Sequence, residues 1–163
     1  MRSTFLRPCL PTSGKAVPAT DAWLHEVKYD GYRLIVARDA NRVRLLGRHG
    51  YDWTSRFPWV AESARKNRHQ QFVIDGEAAI LGVDGISDFD ALHSRRRDEE
   101  VQLYAFDCMA LDGEDLRKLP VSMRAGRPYR AGRSKDWVKV KNRQHPAYSC
   151  LDRVLIIGGI ARW

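Results

Sequence analysis

The feature that most constrains the fold of this chain is a series of short apolar runs separated by turn-forming residues. Runs of this length suit β-strands, which are usually about five or six residues long in globular proteins. The Asp-Gly dipeptides Asp30-Gly31, Asp75-Gly76 and Asp112-Gly113 are typical of tight turns between strands. We therefore predict strands over residues 23–28, 32–38, 42–46, 71–74, 77–81 and 101–109, with Asp75-Gly76 separating two of them.

Two other stretches predict helices. Residues 59–70 have a helix-like composition, and residues 88–96 predict a short helix with Ser87 or Asp88 as its N-terminal cap. The apolar residues of the first helix are spaced to form one stripe, made by Val60, Ala61 and Ala64. Strands segregated from a few helices indicate an α+β fold, with antiparallel sheets and flanking helices.

The two ends of the chain differ from this central region. The first 20 residues contain several prolines and predict an extended lead-in. Near the other end, residues 137–141 alternate polar and apolar like a strand, and residues 152–160 predict a last apolar strand. A chain of 163 residues is long enough for one domain with a real hydrophobic core.

Charge and composition narrow the classes of function. The chain has 28 Lys and Arg against 20 Asp and Glu, a net charge of +8, which favours a polyanionic partner. A merely arginine-rich composition would give the same balance. The longest apolar run, residues 154–157, is far shorter than the roughly 20 residues that cross a membrane, so we expect no membrane partner. Cys9, Cys108 and Cys150 lack metal-ligand spacing and predict buried thiols in a reducing cytoplasm.

The candidate nucleophile is Lys28, in the segment Lys-Tyr-Asp-Gly-Tyr-Arg at the end of a predicted strand. A lysine attacks only as its neutral amine, so it needs surroundings that disfavour the charged form. Lys139 and Lys141, if folded nearby, would supply like-charge repulsion. The rest of the segment would form a rim that binds phosphate and sugar, made by Asp30, Gly31 and Arg33. The alternative interpretation is a solvated hairpin with charged flanks.

An acidic pair follows in Phe72-Val73-Ile74-Asp75-Gly76-Glu77. Carboxylate oxygens suit Mg²⁺, which bridges phosphates, and we therefore predict Glu77 as a metal ligand. A plain Asp-Gly turn with a solvated glutamate is the alternative.

Two further strands carry candidate nucleotide ligands. Alternation along residues 103–109 places Tyr104, Phe106 and Cys108 on one face, where an aromatic ring could stack on a purine or simply belong to the core. In the strand over residues 137–141, Lys139 and Lys141 share a face. Two ammonium groups there would neutralise an α-phosphate, although lysines on an exposed edge strand also discourage aggregation.

In this order, the four motifs resemble those of the covalent nucleotidyltransferase superfamily. Within it they are most similar to the adenylation domain of ATP-dependent DNA ligases of the bacterial end-joining type, over roughly residues 23–143. The resemblance implies an ATP-grasp-like nucleotidyltransferase core. It also implies ATP and Mg²⁺ as cofactors, nicked or broken duplex DNA as the partner, end-joining proteins as further candidate partners, and a cytoplasmic, nucleoid-associated location.

The resemblance assigns a reaction to Lys28. Its amine would attack the α-phosphate of ATP to form lysyl-AMP, and AMP would then pass to a DNA 5′-phosphate so that the 3′-hydroxyl seals the nick. The other matched residues would bind the nucleotide and the metal: Glu26 at the adenine amino group, Arg33 at the sugar, Arg48 near the nucleotide and the nick, Phe106 stacked on adenine, Lys139 and Lys141 at the α-phosphate, and Glu77 at the metal.

The sequence also departs from this family. A Glu-Gly-apolar-Val-x-Lys strand, whose glutamate is a second metal ligand in the family, is missing between Phe106 and Lys139. Residues 153–159 are similar to the first strand of the OB-fold that follows the core. We therefore expect an incomplete core, internally deleted and C-terminally truncated, with a lead-in over 1–20, an adenylation domain over 21–143 and an OB-fold remnant over 144–163.

Three functions are compatible with these observations. The first is a DNA ligase-like protein in repair and recombination, with full activity doubtful because a carboxylate motif is missing. The second is a non-catalytic remnant that binds nucleotide or DNA only. The third is RNA ligation or guanylyl transfer. Residues 129–134, followed by Trp137, are similar to bacterial ligases, which argues against this third function.

Overall fold

A computed structural model of the chain describes residues 8–16, 25–26, 28–119, 132–141 and 154–157. The strands are β1 (Cys9–Ser13), β2 (His25–Glu26), β3 (Tyr32–Asp39), β4 (Arg42–Gly47), β5 (Gln71–Ala79), β6 (Gln102–Leu111), β7 (Glu114–Asp115), β8 (Gly132–Lys141) and β9 (Val154–Ile157). The α-helices are α1 (Pro58–Lys66) and α2 (Phe89–Ser94). The chain forms two compact units: unit 1 contains Asp30–Arg117, and unit 2 contains the described residues of Pro8–Tyr29 and Lys118–Trp163.

Unit 1 is built on an antiparallel sheet of five strands in the order β4-β3-β5-β6-β7. Alternation along β3 and β5 directs every second side chain into one core together with residues of both helices. The members of that core include Leu34, Val36, Phe57, Val60, Ala61, Phe72, Ala78 and Leu92. This arrangement of an antiparallel sheet with few helices confirms the α+β class.

Both predicted helices are present. In α1 the buried residues are Val60, Ala61 and Ala64, the predicted apolar stripe, although the helix ends at Lys66 rather than at residue 70. In α2 the cap is Asp88, whose carboxylate accepts a hydrogen bond of 2.9 Å from the backbone N–H of Ala91. Of the two candidate caps, Asp88 therefore fills that position.

The prediction that Asp75-Gly76 is a turn between two strands is wrong. Strand β5 runs without a break through both residues, and its register with β6 shifts between Asp75 and Gly76. A Cβ on Gly76 would lie 2.8 Å from the carbonyl oxygen of Tyr104. Glycine is used here for the close approach of two strands at a bulge, which is the other common reason for glycine inside a strand.

The hairpin predicted at Asp30-Gly31 is also absent. Strand β2 pairs with β9, whereas β3 pairs with β4 and β5, so the strands on either side of this dipeptide belong to different sheets. The turn predicted at Asp112-Gly113 is confirmed, since both residues have positive φ angles between β6 and β7.

Unit 2 is built on a sheet of four strands in the order β1-β8-β9-β2. Strand β9 is antiparallel to both of its neighbours, but β1 and β8 are parallel, which departs from the predicted antiparallel arrangement. More than a hundred residues connect those two strands, ample for the crossover that a parallel pair needs. The observed β9 covers four residues of the strand predicted over 152–160.

Two composition-based predictions can be compared with the described residues. Cys9 is buried as expected and Cys108 is half-buried, while Cys150 lies outside the described residues. Within the described part of the chain, no helix has the length and apolar character needed to cross a membrane.

Candidate functional site

Lys28 lies two residues beyond β2, in unit 2. Its side chain is half-buried, and its Nζ donates a hydrogen bond of 3.0 Å to the backbone carbonyl oxygen of Tyr29. This contact holds the amine against the adjoining backbone. The candidate nucleophile is therefore at the surface of its unit but not fully extended into solvent.

The sheet of unit 2 places the other predicted ligands of that unit at neighbouring register positions. Glu26 of β2 and Lys139 of β8 are both register partners of Ile156 in β9, which lies between the two strands. Lys141 is the partner of Val154, two residues further along β9. Because strands in a sheet are about 4.8 Å apart, the backbones at Glu26 and Lys139 are about 10 Å apart. The side chains of Glu26, Lys139 and Lys141 lie outside the described part of the structure.

Unit 1 holds a second group of predicted residues, centred on Arg33 of β3. Its guanidinium donates two hydrogen bonds to the carboxylate of Asp75, Nε–Oδ1 at 2.5 Å and Nη2–Oδ2 at 2.7 Å. The same guanidinium lies over the ring of Phe106, with its carbon 4.5 Å from the ring centroid. The Asp75 side chain is completely buried, and that of Arg33 is 14% exposed. A bidentate ion pair of this kind fixes the plane of the guanidinium.

The β5–β6 bulge explains where Phe106 lies. Asp75 is opposite Asp107 and Gly76 is opposite Ala105, so Phe106 is the extra residue of the bulge. The extra residue reverses the alternation of the side chains that follow it along β6. The prediction that Tyr104, Phe106 and Cys108 share one face is therefore wrong for Cys108, which is opposite Ile74 on the core side of the sheet. Tyr104 is opposite Glu77 and so lies on the face of Arg33, as Phe106 does.

Glu77, the predicted metal ligand, lies on the same face of β5 as Asp75 and opposite Arg33 in the register. Its side chain is half-buried. No group of three or more histidine, cysteine or acidic side chains that could enclose a metal is found among the described residues. Of the acidic pair predicted to bind a divalent ion, Asp75 is instead neutralised by Arg33, a partner that sequence reasoning did not identify.

Gly31 is needed for packing. A Cβ at this position would lie 2.1 Å from the backbone carbonyl oxygen of Ala78 in β5, a distance that no side chain tolerates. Beside it, the backbone N–H of Asp30 donates a hydrogen bond of 3.0 Å to Oγ of the buried Ser87. These two contacts anchor the start of β3 and thereby the backbone that carries Arg33.

Arg48 is exposed in the turn that follows β4. The backbone N–H of Gly50 donates to the carbonyl oxygen of Gly47 at 2.8 Å, and that of Gly47 donates to Tyr51 at 2.9 Å, which closes the turn. Gly47 is the register partner of Leu34, so the turn begins beside the first half of β3. Arg48 therefore emerges near the strand end that carries Arg33.

Comparison with known proteins extends these observations. The family model described as an ATP dependent DNA ligase domain matches residues 12–127. The multifunctional non-homologous end joining DNA repair protein LigD of Mycobacterium tuberculosis is 38% identical over 112 residues, which are 68% of this chain and 15% of that protein. A DNA ligase of Natronomonas pharaonis is 35% identical over 136 residues, 75% of this chain and 25% of that protein.

Solved structures agree in fold. A structure of mycobacterial DNA ligase D complexed with ATP and MES superposes with a TM-score of 0.74 at 28% identity, covering 84% of this chain and 60% of that one. The class of protein is thus an α+β domain like those of DNA ligases. The chain belongs to the ATP-dependent DNA ligase domain family, and it spans a small part of the length of the full-length relatives named above.

Proposed function

We propose that this chain transfers AMP from ATP through Lys28 to the 5′-phosphate at a break in duplex DNA. The observation that carries the proposal is the position of Lys28, with Asp30, Gly31 and Arg33 in their motif order, inside the region matched by the ligase family. The similarity to an ATP-bound ligase structure supports ATP as the nucleotide.

The proposed chemistry proceeds in three displacements. The neutral amine of Lys28 attacks the α-phosphorus, a P–N bond forms, and the bond to pyrophosphate breaks. The DNA 5′-phosphate then displaces lysine from AMP, and the 3′-hydroxyl finally displaces AMP to close the strand. Each displacement is assisted chiefly by alignment and by neutralising negative charge.

Several of the residues described above have proposed roles in this reaction. Glu26 would accept from the adenine amino group, Phe106 would stack on the base, and Arg33 would lie at the sugar. Lys139 and Lys141 would neutralise the α-phosphate, and Arg48 would contact the nick. The shared register partner of Glu26 and Lys139 supports their action at one nucleotide.

Mg²⁺ fits the proposed reaction through Glu77. Magnesium is commonly held by one or two carboxylates together with water and substrate phosphates, so a single protein carboxylate suffices for a weak site. When bound there, the ion would neutralise phosphate charge. Because the family's second carboxylate strand is missing between Phe106 and Lys139, we propose that metal binding is weakened and that nick sealing is slow. We propose the cytoplasm, at the nucleoid, as the location.

The test is transfer of label from α-labelled ATP to the protein with Mg²⁺ present. We expect acid-stable label on the wild-type chain, none above background on Lys28→Ala, and undiminished label on Lys66→Ala. Lys66 is a suitable control because its side chain is 76% exposed on α1. Absence of label at any protein concentration, or equal label on Lys28→Ala, would reject the proposal.

A second candidate function is non-catalytic binding of nucleotide or DNA. The missing carboxylate motif favours it, since removal of a metal ligand weakens catalysis more directly than it weakens binding. In that case ATP or DNA would bind without any label being transferred. Competition of ATP against GTP in the labelling assay distinguishes these two functions from guanylyl transfer.

A further inference from the structure

Asp75 is the most deeply buried acidic side chain that the structure describes in unit 1, with no exposed surface. Burial of a carboxylate is costly unless it is paired and hydrogen-bonded. Both of its oxygens accept hydrogen bonds from Arg33, in the side-by-side geometry that holds a guanidinium most rigidly. Asp75 and Arg33 therefore depend on each other.

The pair has a third member. The guanidinium of Arg33 lies 4.5 Å from the centroid of the Phe106 ring, within the range of a cation–π contact. Phe106 is the extra residue of the bulge that begins beside Asp75, so the ring is set by the bulge and by Arg33 together. Because Arg33 covers one face of the ring, a purine could stack only on the opposite face.

We propose that Asp75 is a positioning residue for nucleotide binding. It locks the plane of Arg33, Arg33 holds the ring of Phe106, and the ring then presents one defined face to the adenine. This inference rests on the proposed function, because Phe106 is assigned to adenine there. It extends that proposal by giving a role to a buried carboxylate with no proposed contact to nucleotide or metal.

The decisive variant is Asp75→Asn, which keeps the size of the side chain and removes its charge. One amide oxygen can still accept from Arg33, but the amide NH₂ faces a donor, so the guanidinium loses its fixed plane. We expect the KM for ATP in lysyl-AMP formation to rise about tenfold with a smaller change in kcat. Calorimetric titration with ATP should show a loss of affinity of similar size.

The matched control is Asp98→Asn. Asp98 pairs with Arg56 at 3.3 Å, and Arg56 likewise lies over aromatic rings, 4.9 Å from those of both Trp53 and Phe57. This second Asp–Arg–aromatic cluster includes no proposed nucleotide ligand. Asp98→Asn should lower the Tm but leave the KM for ATP unchanged. Equal effects of the two variants on the KM would overturn the positioning role.

Coupling to Phe106 separates positioning from a general loss of stability. As a single variant, Phe106→Leu should raise the KM for ATP. Adding Asp75→Asn in the double variant should raise that KM little further. If the two effects multiply in full, Asp75 does not act through the ring. Should Asp75→Asn fail to fold by circular dichroism, Arg33→Lys keeps the charge, lacks the planar fork and should show the same coupling.

The outcomes distinguish this inference from the function on which it rests. Label on the wild type with an unchanged KM and affinity in Asp75→Asn rejects the positioning role alone. ATP binding that Asp75→Asn weakens, without any label, retains the positioning role and rejects the transfer reaction. A wild-type chain that neither binds ATP nor becomes labelled rejects both.

Discussion

Arg38 illustrates how a single buried charge organises unit 1. It lies on β3 with 9% of its surface exposed, and its guanidinium donates to three backbone carbonyl oxygens. The acceptors are Ala40 at 2.9 Å, Ala64 at 2.9 Å and Asn67 at 2.7 Å. The last two lie at the C-terminal end of α1, where carbonyl groups lack partners within the helix and a cation is favourable.

We predict that Arg38→Ala lowers the free energy of unfolding by about 3 kcal/mol, because three hydrogen bonds from a charged donor are lost, one of them buried. Urea denaturation measures the change. Arg42→Ala, at an exposed position of the neighbouring strand, should change it by no more than about 0.5 kcal/mol. A similar small effect of Arg38→Ala would show that the helix end does not depend on this side chain.

For single residues, the sequence predicts which side chains are candidates for a site better than it predicts which side chains they contact. Lys28 and Arg33 are recognisable from their motif, and Glu77 from its place after an apolar run. The ion pair between Arg33 and Asp75 is not predictable in this way, because it joins residues 42 positions apart through strand register. The apolar residues 72–74 and 78–80, on either side of the short polar stretch, were the available indication that Asp75-Gly76 is not a turn.

Among the elements, strand β4 forms one edge of the five-stranded sheet and is covered by the segment that follows it. The backbone N–H of Trp53 donates to the carbonyl oxygen of Leu45 at 2.7 Å, and the N–H of Leu45 donates to Oγ1 of Thr54 at 2.9 Å. Asp52 holds this segment, accepting from the Thr54 hydroxyl at 2.5 Å. A covered edge does not pair with other chains, which protects the sheet from aggregation.

We expect the contribution of this segment to stability to depend on pH. The hydroxyl of Thr54 lowers the pKa of Asp52 below its ordinary value; burial opposes the shift, while the Thr54 backbone N–H and Arg44 add to it. The stabilisation is thus present above the unfolded-state pKa and is lost as the pH falls through the folded-state pKa. We predict that Asp52→Asn lowers the Tm by a few degrees at pH 7 and that the difference vanishes in acid. Thr54→Val should weaken the same dependence, and a pH-independent difference would contradict the explanation.

Elements with local determinants were the most predictable from sequence. The stripe of α1 and the cap of α2 depend on residues three or four positions apart, which a sequence displays directly. Strand pairing depends on contacts between distant segments. The Asp30-Gly31 dipeptide therefore suggested a hairpin, whereas the strand before it pairs with β9, more than a hundred residues away.

For the whole molecule, the net charge of +8 is the property most relevant to DNA. We predict that duplex DNA binds in a salt-dependent manner. If about four phosphates are neutralised, affinity should fall about a hundredfold between 50 and 200 mM salt because counterions are released. Gel shifts over that range measure the slope, and Lys28→Ala should leave it unchanged. Loss of binding in that variant would exclude surface charge as the cause.

The central place of β9 in the sheet of unit 2 has a consequence for synthesis of the chain. All strands of the unit 1 sheet come from residues 32–115 and can pair as soon as that stretch has left the ribosome. Strand β2 leaves much earlier than its partner β9, which is separated from it by most of the chain. The backbone before Lys28 must therefore wait, unpaired, until residues 154–157 emerge. A nascent chain released before that point would carry Lys28 without the strand that pairs with β2.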